Sequence, residues 1–308
     1  MEQQDILSMT LPELQAAVQE LGEPKFRAKQ IFNWLHQKRV TDFSEMTTLS
    51  LPFRERLASD FCINRLKIAK RLASSVDDTV KYLYELPDGN YVETVCMQYH
   101  HGTSLCISTQ VGCRMGCRFC ASAIAGFVRN LTPAEMLLQI YETERAQNCK
   151  ISSLVLMGIG EPLDNFDNVL RFLQLLSDPN GYGMSLRHVT VSTCGVVPKI
   201  LELAEQRLGL TLSVSLHCPN DAGRSAIMPI NRSYPIDVLL DACQTYFEKT
   251  GRRVTFEYAV MDQVNSAEQD AAALAERLKG LHAHVNLIPI NPVKERNFHT
   301  LKKTVLQF

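Results

Sequence analysis

Residues 110–120 read QVGCRMGCRFC and place Cys113, Cys117 and Cys120 on one short stretch. The stretch follows residues 104–109, SLCIST, whose alternation is typical of a strand. Four thiolates normally hold an iron–sulfur cubane, so three on one loop leave one iron open to another molecule. A structural zinc site, the alternative, needs four ligands, usually in two separated pairs. The spacing therefore favours an iron–sulfur cluster with one open iron over zinc.

The composition is typical of an intracellular enzyme. The chain has 308 residues, a formal net charge of −1 and ten cysteines. Its start, MEQQDILSMTLPELQ, is acidic and polar, unlike a signal peptide, and no apolar run approaches the roughly 20 residues of a membrane span. Ten cysteines without a regular framework spacing argue against a disulfide scaffold. We therefore expect a cytoplasmic protein whose contacts with nucleic acid come from local basic patches.

The amino-terminal third reads differently from the rest. Residues 1–62 are predicted to form a helical accessory module, with a capping box at Thr10. Residues 63–102 are predicted to form a β-hairpin linker region with Asp88-Gly89 as its turn. Basic residues accumulate in both segments: Lys25, Arg27, Lys29, Lys38, Arg39, Arg65, Lys67, Lys70 and Arg71. They form either a solvated face or a surface for RNA phosphates.

Residues 103–308 alternate strands with helices, which predicts an α/β fold. The strand-like segments are SLCIST, SLVLMG, HVTVST, TLSVSLH, RVTFEYAV and HVNLIPI. Six parallel strands with helices between them predict a partial (β/α)6 barrel. Thr132-Pro133-Ala134-Glu135 predicts the start of the first helix after the cysteine stretch, because it combines an N-cap, a proline and a capping-box glutamate.

The predicted strands have polar faces. In TLSVSLH, for example, Ser215 and His217 alternate with Leu216. In a closed barrel the apolar faces would point outward to the helices, so the polar faces would line an interior suited to a ligand. MGIGEPLDN follows the second strand and contains Gly160 and Glu161. The glycines alone fit a tight turn, whereas a carboxylate there can also accept hydrogen bonds from the ammonium group of an amino acid.

Seven motifs in order carry a closer resemblance: CISTQVGC, CRFCA, MGIGEPL, STCGVVP, SLHCPND, MPIN and NLIPINP. Together they resemble the RlmN/Cfr family of radical S-adenosylmethionine (SAM) RNA methyltransferases, from about residue 10 to the end of the chain. NPVKERNF and the QVGC context are similar to the branch that methylates C2 of an adenosine in 23S rRNA. Members of that branch also act on an adenosine of tRNA. The branch that methylates C8 of the same base is the alternative.

The resemblance implies a role for individual residues. Cys113, Cys117 and Cys120 would hold a [4Fe-4S] cluster. Glu93 would accept the proton from the base, and Cys106 would resolve a protein–RNA thioether crosslink by forming a disulfide. The residues that would bind SAM are Gly160, Glu161, Ser192, Ser215, Leu216, His217 and Asn291. For His217 and Cys106, the alternatives are a structural histidine and a small buried strand residue.

A radical route is needed because C2 of adenine is not nucleophilic. In the family, one SAM methylates a carboxyl-terminal cysteine, and a second is cleaved to a 5′-deoxyadenosyl radical that abstracts hydrogen from the S-methyl group. The methylene radical adds to the base, and the adduct loses one electron. A base then removes the C2 proton, and the resolving cysteine releases the methylated product by forming a disulfide with the methyl-carrying cysteine. The implied partners are 23S rRNA, tRNA and an electron donor such as flavodoxin, with no membrane, and the protein is expected to be a monomer.

The chain departs from the family at its end. The methyl-carrying cysteine of the family sits in an Ala-Cys-Gly-Gln-Leu setting downstream of NPVKERNF, whereas this sequence ends at LKKTVLQF. Leu301, Val305 and Phe308 have helical spacing. We expect this chain, as a truncated form, to bind the cluster and SAM without completing methyl transfer. Two other classes remain open: a radical SAM enzyme acting on a partner protein, and a non-catalytic zinc or RNA-binding protein.

Overall fold

The computed structural model describes residues 3–301. Within them the helices are α1 (Leu11–Glu20), α2 (Phe26–Asn33), α3 (Leu51–Asp60), α4 (Pro133–Gln147), α5 (Phe166–Ser177), α6 (Val197–Glu205), α7 (Asp221–Ile227), α8 (Ile236–Thr250) and α9 (Glu268–Leu278). The strands are β1 (Gln4–Asp5), β2 (Phe61–Cys62), β3 (Lys67–Ala73), β4 (Val80–Glu85), β5 (Tyr91–Tyr99), β6 (Gly102–Cys106), β7 (Gln110–Gly112), β8 (Phe127–Asn130), β9 (Ile151–Leu156), β10 (Val189–Thr193), β11 (Thr211–Ser215), β12 (Val254–Val260) and β13 (Ala283–Pro289). Val305 and Phe308, which were predicted to continue a helix from Leu301, lie outside the described residues.

The chain divides into two compact units, each built from separate stretches of sequence. The first comprises the chain up to Thr109 together with Asn130–Leu154 and Asn165–His188. The second comprises Gln110–Arg129, Val155–Asp164 and the chain from Val189 onward. In the part of the chain that the structure describes, no helix is long and apolar enough to cross a membrane.

An antiparallel sheet, in the order β6-β5-β4-β3, forms the centre of the first unit. The predicted hairpin is confirmed, since β4 and β5 pair on either side of Asp88-Gly89. One face of this sheet packs on α4. Tyr84 Oη lies 2.8 Å from Thr143 Oγ1, and Thr94 Oγ1 donates to Gln139 Oε1 at 2.8 Å. The other face of β4 and β5 is only partly buried, and on β6 that face carries the partly buried Cys106 and the buried Ser104.

Both predicted helix starts are confirmed in the first unit. The Thr10 N–H donates to the Glu13 carboxylate at 2.8 Å, and α1 follows. At α4 the Glu135 N–H donates to Thr132 Oγ1 at 3.2 Å, and the Glu135 carboxylate accepts from the Thr132 N–H. A side chain that satisfies an amide at the first turn fixes where a helix begins, which explains why sequence located these starts.

Arg39 belongs to the basic cluster of the sequence, yet it has an internal role in the first unit. Its guanidinium pairs with Glu144, which is 1% exposed, and stacks over the Tyr141 ring at 5.2 Å. A guanidinium held in such a pair is not free for RNA phosphates. The lysines of β3, by contrast, are exposed along the whole strand.

Four parallel strands, in the order β13-β12-β11-β10, form the sheet of the second unit. All six strand-like segments of the sequence are strands in the structure, as β6, β9, β10, β11, β12 and β13. An apolar cluster built around Met228, Met261 and Ile290 lies in this unit, and Met115, Cys117 and Phe119 of the cysteine stretch pack against it. The cysteine stretch is therefore held by the core of the second unit.

Candidate cofactor site

The cysteine stretch forms a tight loop after β7. The Cys113 N–H donates to the Gly126 carbonyl at 2.9 Å, and the Cys120 N–H donates to the Cys117 carbonyl at 3.2 Å. Gly112 has φ +72°, and a Cβ atom there would lie 1.8 Å from the Gly126 oxygen. Only glycine fits both that dihedral and that contact. The backbone therefore fixes the loop before any ligand binds.

All three cysteines line one cavity of about 290 Å³, close to the lower end of the range of roughly 300–1,000 Å³ for ligand sites. Its wall belongs entirely to the second unit. The polar and sulfur-bearing side chains around it come from Cys113, Met115, Cys117, Cys120, Ser122, Met157, Glu161, Ser192, Cys194, Ser215, His217, Met228 and Glu257. Ser192 on β10, Ser215 on β11 and Glu257 on β12 supply polar groups to the cavity, as the polar faces of the predicted strands indicated.

The donor set fits an iron–sulfur cluster better than a zinc ion. Three cysteines line the cavity, the number that leaves one iron of a [4Fe-4S] cluster open. A zinc ion needs its ligands around one centre, whereas each cysteine of a cluster binds its own iron. Burial raises the pKa of the Cys117 thiol to about 12, and the Arg224 guanidinium acts in the opposite direction. Thiols of this kind become thiolates when a metal binds them.

Glu161 is a buried carboxylate on the cavity wall, at 3% exposure. One oxygen accepts the Cys194 N–H at 2.7 Å and the other accepts the Leu163 N–H at 3.0 Å. The Glu161 N–H itself donates to Gln110 Oε1 at 2.9 Å. Burial raises the pKa of this carboxyl, while the two backbone donors act against that shift. The carboxylate is therefore fixed in place with lone pairs left for a cation in the cavity.

Gly160 brings Glu161 to the cavity. It has φ +110°, and a Cβ atom there would lie 2.6 Å from Gln110 Cβ. The Gln110 side chain bridges this turn to Asp164, donating to the Asp164 carboxylate at 2.7 Å. Asp164 also pairs with Arg114 at 2.8 Å. The turn after β9 and the cysteine loop are thereby joined by side chains as well as by apolar packing.

His217 has one defined tautomer. The Ala259 N–H donates to His217 Nδ1 at 2.9 Å, so Nδ1 is unprotonated and Nε2 carries the hydrogen. Burial lowers the pKa of the imidazole to about 3, with the Arg224 charge acting in the same direction. The ring stands edge to face against Phe119 at 4.9 Å between centroids. A neutral Nε2–H donor is therefore available at the cavity wall.

The remaining predicted SAM contacts lie in three kinds of position. Ser192 and Ser215 lie on the cavity wall. Leu216 is fully buried and its N–H donates to the Glu257 carbonyl at 3.1 Å, so it contributes backbone rather than side chain. Asn291 is exposed after β13 and is not among the residues of this cavity wall. Gly160, Glu161, Ser192, Ser215 and His217 thus line one cavity. Leu216 lies between two of these residues in sequence, and Asn291 is not part of the cavity wall.

Arg224 was not singled out from the sequence. It lies on α7, is 0% exposed, and donates to the carbonyls of Cys194 at 2.7 Å and Ser215 at 3.0 Å, both residues of the cavity wall. The one available signal is its helical spacing from Ile227, which assigns Arg224 to the buried face of a short helix. That signal gives burial without revealing which carbonyls the guanidinium contacts.

Glu93 and Cys106 lie in the first unit. Val95 on β5 pairs directly with Cys106 on β6 and with Lys81 on β4, and directly paired residues point to the same face. Glu93, two residues before Val95, points to that face as well. Its carboxylate forms an ion pair with Lys81 Nζ at 2.8 Å. Glu93 and Cys106 are therefore diagonal neighbours on the half-buried face of the sheet, opposite the face that packs on α4.

Two family descriptions match the chain. Residues 4–63 match the ribosomal RNA large subunit methyltransferase N-terminal domain, and residues 107–275 match the radical SAM superfamily. A protein of Lachnoclostridium phytofermentans is 52% identical over 96% of this chain and 83% of its own length, and one of Lachnospira eligens is 48% identical over 99% and 87%. Both are named probable dual-specificity RNA methyltransferase RlmN. The crystal structure of a radical SAM methyltransferase from Sphaerobacter thermophilus covers 98% of this chain and 89% of its own, with a TM-score of 0.94 and 39% identity.

The fold and the cysteine loop define a radical SAM enzyme, α/β in class with a mostly parallel central sheet. This class implies a [4Fe-4S] cluster and SAM as cofactors. Within it, the chain belongs to the RlmN family of RNA methyltransferases.

Proposed function

We propose that the cavity of the second unit holds a [4Fe-4S] cluster on Cys113, Cys117 and Cys120, with SAM beside it, for methylation of an adenosine at C2. The observation that carries this proposal is that the three cysteines share one cavity wall with Glu161 and His217. The proposed substrates are 23S rRNA and tRNA, and the relatives are named as dual-specificity RNA methyltransferases. Methylation at C8 is the alternative.

When bound, the cluster and SAM supply a carbon radical by one-electron cleavage of the sulfonium. The Glu161 carboxylate accepts hydrogen bonds from the ammonium group of SAM. His217 donates through Nε2–H, and the hydroxyl groups of Ser192 and Ser215 complete the polar wall. The apolar cluster behind Cys117 limits the access of water to the site. Gly160, Leu216 and Asn291 complete the proposed SAM-binding set.

In the first unit we assign Glu93 as the base for the C2 proton and Cys106 as the thiol that releases the methylated base. Their shared face supports this assignment, because both groups must meet the same nucleotide. Lys81 keeps the Glu93 carboxylate oriented through their ion pair.

The amino-terminal segments have a different role in the proposal. Residues 1–62 act as an accessory RNA-binding module, residues 63–102 as a hairpin linker region, and residues 103–308 as the catalytic segment. An electron donor of the flavodoxin class reduces the cluster. The enzyme acts as a monomer in the cytoplasm, where its RNA substrates are located.

The proposal is tested by anaerobic reconstitution with iron and sulfide, followed by electron paramagnetic resonance of the reduced protein. We expect a [4Fe-4S]+ signal that changes when SAM is added. Cys117→Ala removes a cluster ligand and should abolish the signal, whereas Cys243→Ala, in a buried cysteine of α8, should retain it. A colourless protein with bound zinc, or a cluster indifferent to SAM, contradicts the proposal.

Regiochemistry is tested with RNA that carries deuterium at C2 or at C8 of adenosine. Loss of the C2 label with gain of a methyl group supports the proposal, and loss of the C8 label supports the alternative.

A further inference from the structure

Arg224 holds a buried positive charge among neutral partners. Its Nη2 donates to the carbonyls of Cys194 and Ser215, and its Nε donates to the Leu216 carbonyl at 3.2 Å. Nη1 donates to Asn231 Oδ1 at 2.9 Å. These four oxygens accept hydrogen bonds from four of the five N–H groups of the guanidinium, and none of them carries a charge. The positive charge of Arg224 therefore lacks a contacting anion.

A buried charge of this kind is costly unless an opposite charge lies nearby. Burial lowers the pKa of Arg224, which is the expected response to that cost. Cys194 and Ser215, whose carbonyls the guanidinium contacts, are both residues of the cavity wall. The Asp221 carboxylate acts on the Arg224 charge from behind Asn231, whose Nδ2 donates to it at 2.9 Å, without contacting the guanidinium. The cavity wall is the second place from which a negative charge can act on Arg224.

The contacts of Arg224 also join two strands. Cys194 directly follows β10, Ser215 ends β11, and Leu216 comes next. Parallel strands do not hydrogen-bond to each other beyond their last paired residues, so these carbonyls need other donors. The Arg224 guanidinium supplies the donors for all three carbonyls, and only the planar fork of arginine offers this geometry.

We propose that Arg224 is a positioning residue for the cofactors. Its fork ties the carboxyl ends of β10 and β11 together and so fixes the SAM-binding wall, while its charge stabilises the negative charge of the thiolate-bound cluster and raises the cluster's reduction potential. This inference rests on the proposed function. The unchanged chain must therefore first be shown to bind a cluster, and its failure to do so contradicts the proposed function rather than the role of Arg224.

The test compares Arg224→Met, Arg224→Lys and the control Arg252→Met. Arg252 also contacts β11, but at its other end, where Nη2 donates to Thr211 Oγ1 at 3.1 Å. The cluster's reduction potential is measured by a redox titration followed by paramagnetic resonance, and the dissociation constant of SAM is measured by equilibrium binding. Neither measurement depends on turnover.

We expect Arg224→Met to lower the reduction potential and to weaken SAM binding by about 10–100-fold, the usual range for residues that support a metal site. Arg224→Lys keeps the charge and should retain most of the potential, yet it should still weaken SAM binding because an ammonium cannot reach three carbonyls at once. Arg252→Met should leave both quantities unchanged. An unchanged potential in Arg224→Met, or unchanged SAM binding in both variants, overturns the proposal.

If the Arg224 variants do not fold, Asn231→Asp is used as the test in their place. It sets a carboxylate against Nη1 while leaving the guanidinium in place. Asp221→Asn is made with it, because Asn231 Nδ2 donates to the Asp221 carboxylate at 2.9 Å and two carboxylates would otherwise meet. We expect the combined change to lower the potential. A folded protein that carries both changes and has an unchanged potential overturns the proposal. If all three changes prevent folding while Arg252→Met folds, Arg224 is assigned to folding alone, and the proposal is again overturned.

Discussion

Among single residues, Glu161 has the most demanding environment, because both carboxylate oxygens accept backbone N–H groups in a buried site. In Glu161→Gln, an amide NH2 would face one of these donors, and the charge that attracts the ammonium group of SAM would be lost. Lost hydrogen bonds to charged groups cost about 1.5–3 kcal/mol, so we expect SAM binding to weaken by about 10–100-fold. Equilibrium binding to the reconstituted protein measures this.

The control for this change is Glu202→Gln on α6, whose side chain is 46% exposed. It should bind SAM as tightly as the unchanged protein. Retention of the cluster signal in Glu161→Gln would show that only SAM binding has changed. Full SAM affinity in Glu161→Gln would contradict the role assigned to this carboxylate.

His36 predicts how the stability of the protein depends on pH. Burial lowers the pKa of His36 to about 4, and its Nδ1 lies 3.0 Å from Tyr141 Oη. In the unfolded chain the pKa is about 6.5, so below that pH the unfolded state binds a proton that the folded state does not. The free energy of unfolding therefore falls as the pH drops from about 6.5 to about 4, by about 2 kcal/mol at pH 5.

Urea unfolding of the unchanged protein and of His36→Gln at pH 7 and pH 5 checks this expectation. His36→Gln cannot titrate, so its free energy of unfolding should change less between the two pH values. An equal change in both proteins would show that other groups cause the pH dependence.

Sequence motifs identified the site residues that are adjacent to a recognisable local pattern. The cysteines, Glu161 and His217 follow strand ends, and strand ends can be read from alternation. Arg224 was missed because its importance depends on carbonyls of β10 and β11, which only the folded chain brings together. Asn291 was assigned through the family resemblance. It is exposed after β13, and its role in SAM binding stays a prediction.

At the scale of an element, the cysteine loop depends on Gly112. Gly112→Ala would place a Cβ atom 1.8 Å from the Gly126 oxygen and would strain a φ of +72°. Gly89→Ala is a matched control, because its φ is +81° but nothing lies within 4 Å of the added atom. We expect both variants to lose about 1–2 kcal/mol from dihedral strain and only Gly112→Ala to lose the cluster.

Iron content and visible absorption after reconstitution measure this difference. If Gly112→Ala binds as much iron as Gly89→Ala, the close approach of Gly126 does not shape the loop.

Elements with local signals were predicted well. The six strands, the β4–β5 hairpin and the starts of α1 and α4 are all present, because alternation, turn residues and capping boxes act over a few positions. The pairing of Arg39 with Glu144 joins residues far apart in sequence. No local pattern could reveal it, so a basic cluster in the sequence does not define a basic surface.

For the whole molecule, we expect RNA binding to depend on the exposed lysines of β3. Lys67→Glu and Lys70→Glu should weaken binding of a 23S rRNA fragment and reduce the slope of log affinity against log salt by about one per lysine. Lys279→Glu is the control, because it changes the net charge by the same amount at a lysine of the second unit. If the slope of log affinity against log salt is the same in all three variants, the lysines of β3 do not contact RNA phosphates.

The grouping of the chain into two units was not visible in the sequence. The predicted segments 1–62, 63–102 and 103–308 are consecutive and stay a prediction, whereas each compact unit draws on separated stretches. Separate stretches of sequence join one unit because strands that are far apart in sequence pair with each other. Hydrophobic periodicity predicts strands but not their pairing, so the sequence did not reveal the two units.

The cavity wall extends in sequence from Cys113 to Ile288, and this has a consequence for synthesis. During translation the three thiol groups leave the ribosome long before β12 and β13, which supply Glu257 and Ile288. The nascent chain therefore exposes its cysteines to oxidants and stray metal ions while the wall that will shelter them does not yet exist. A ligand of this cavity can be enclosed only after β13 has been synthesised, because the wall is incomplete until then.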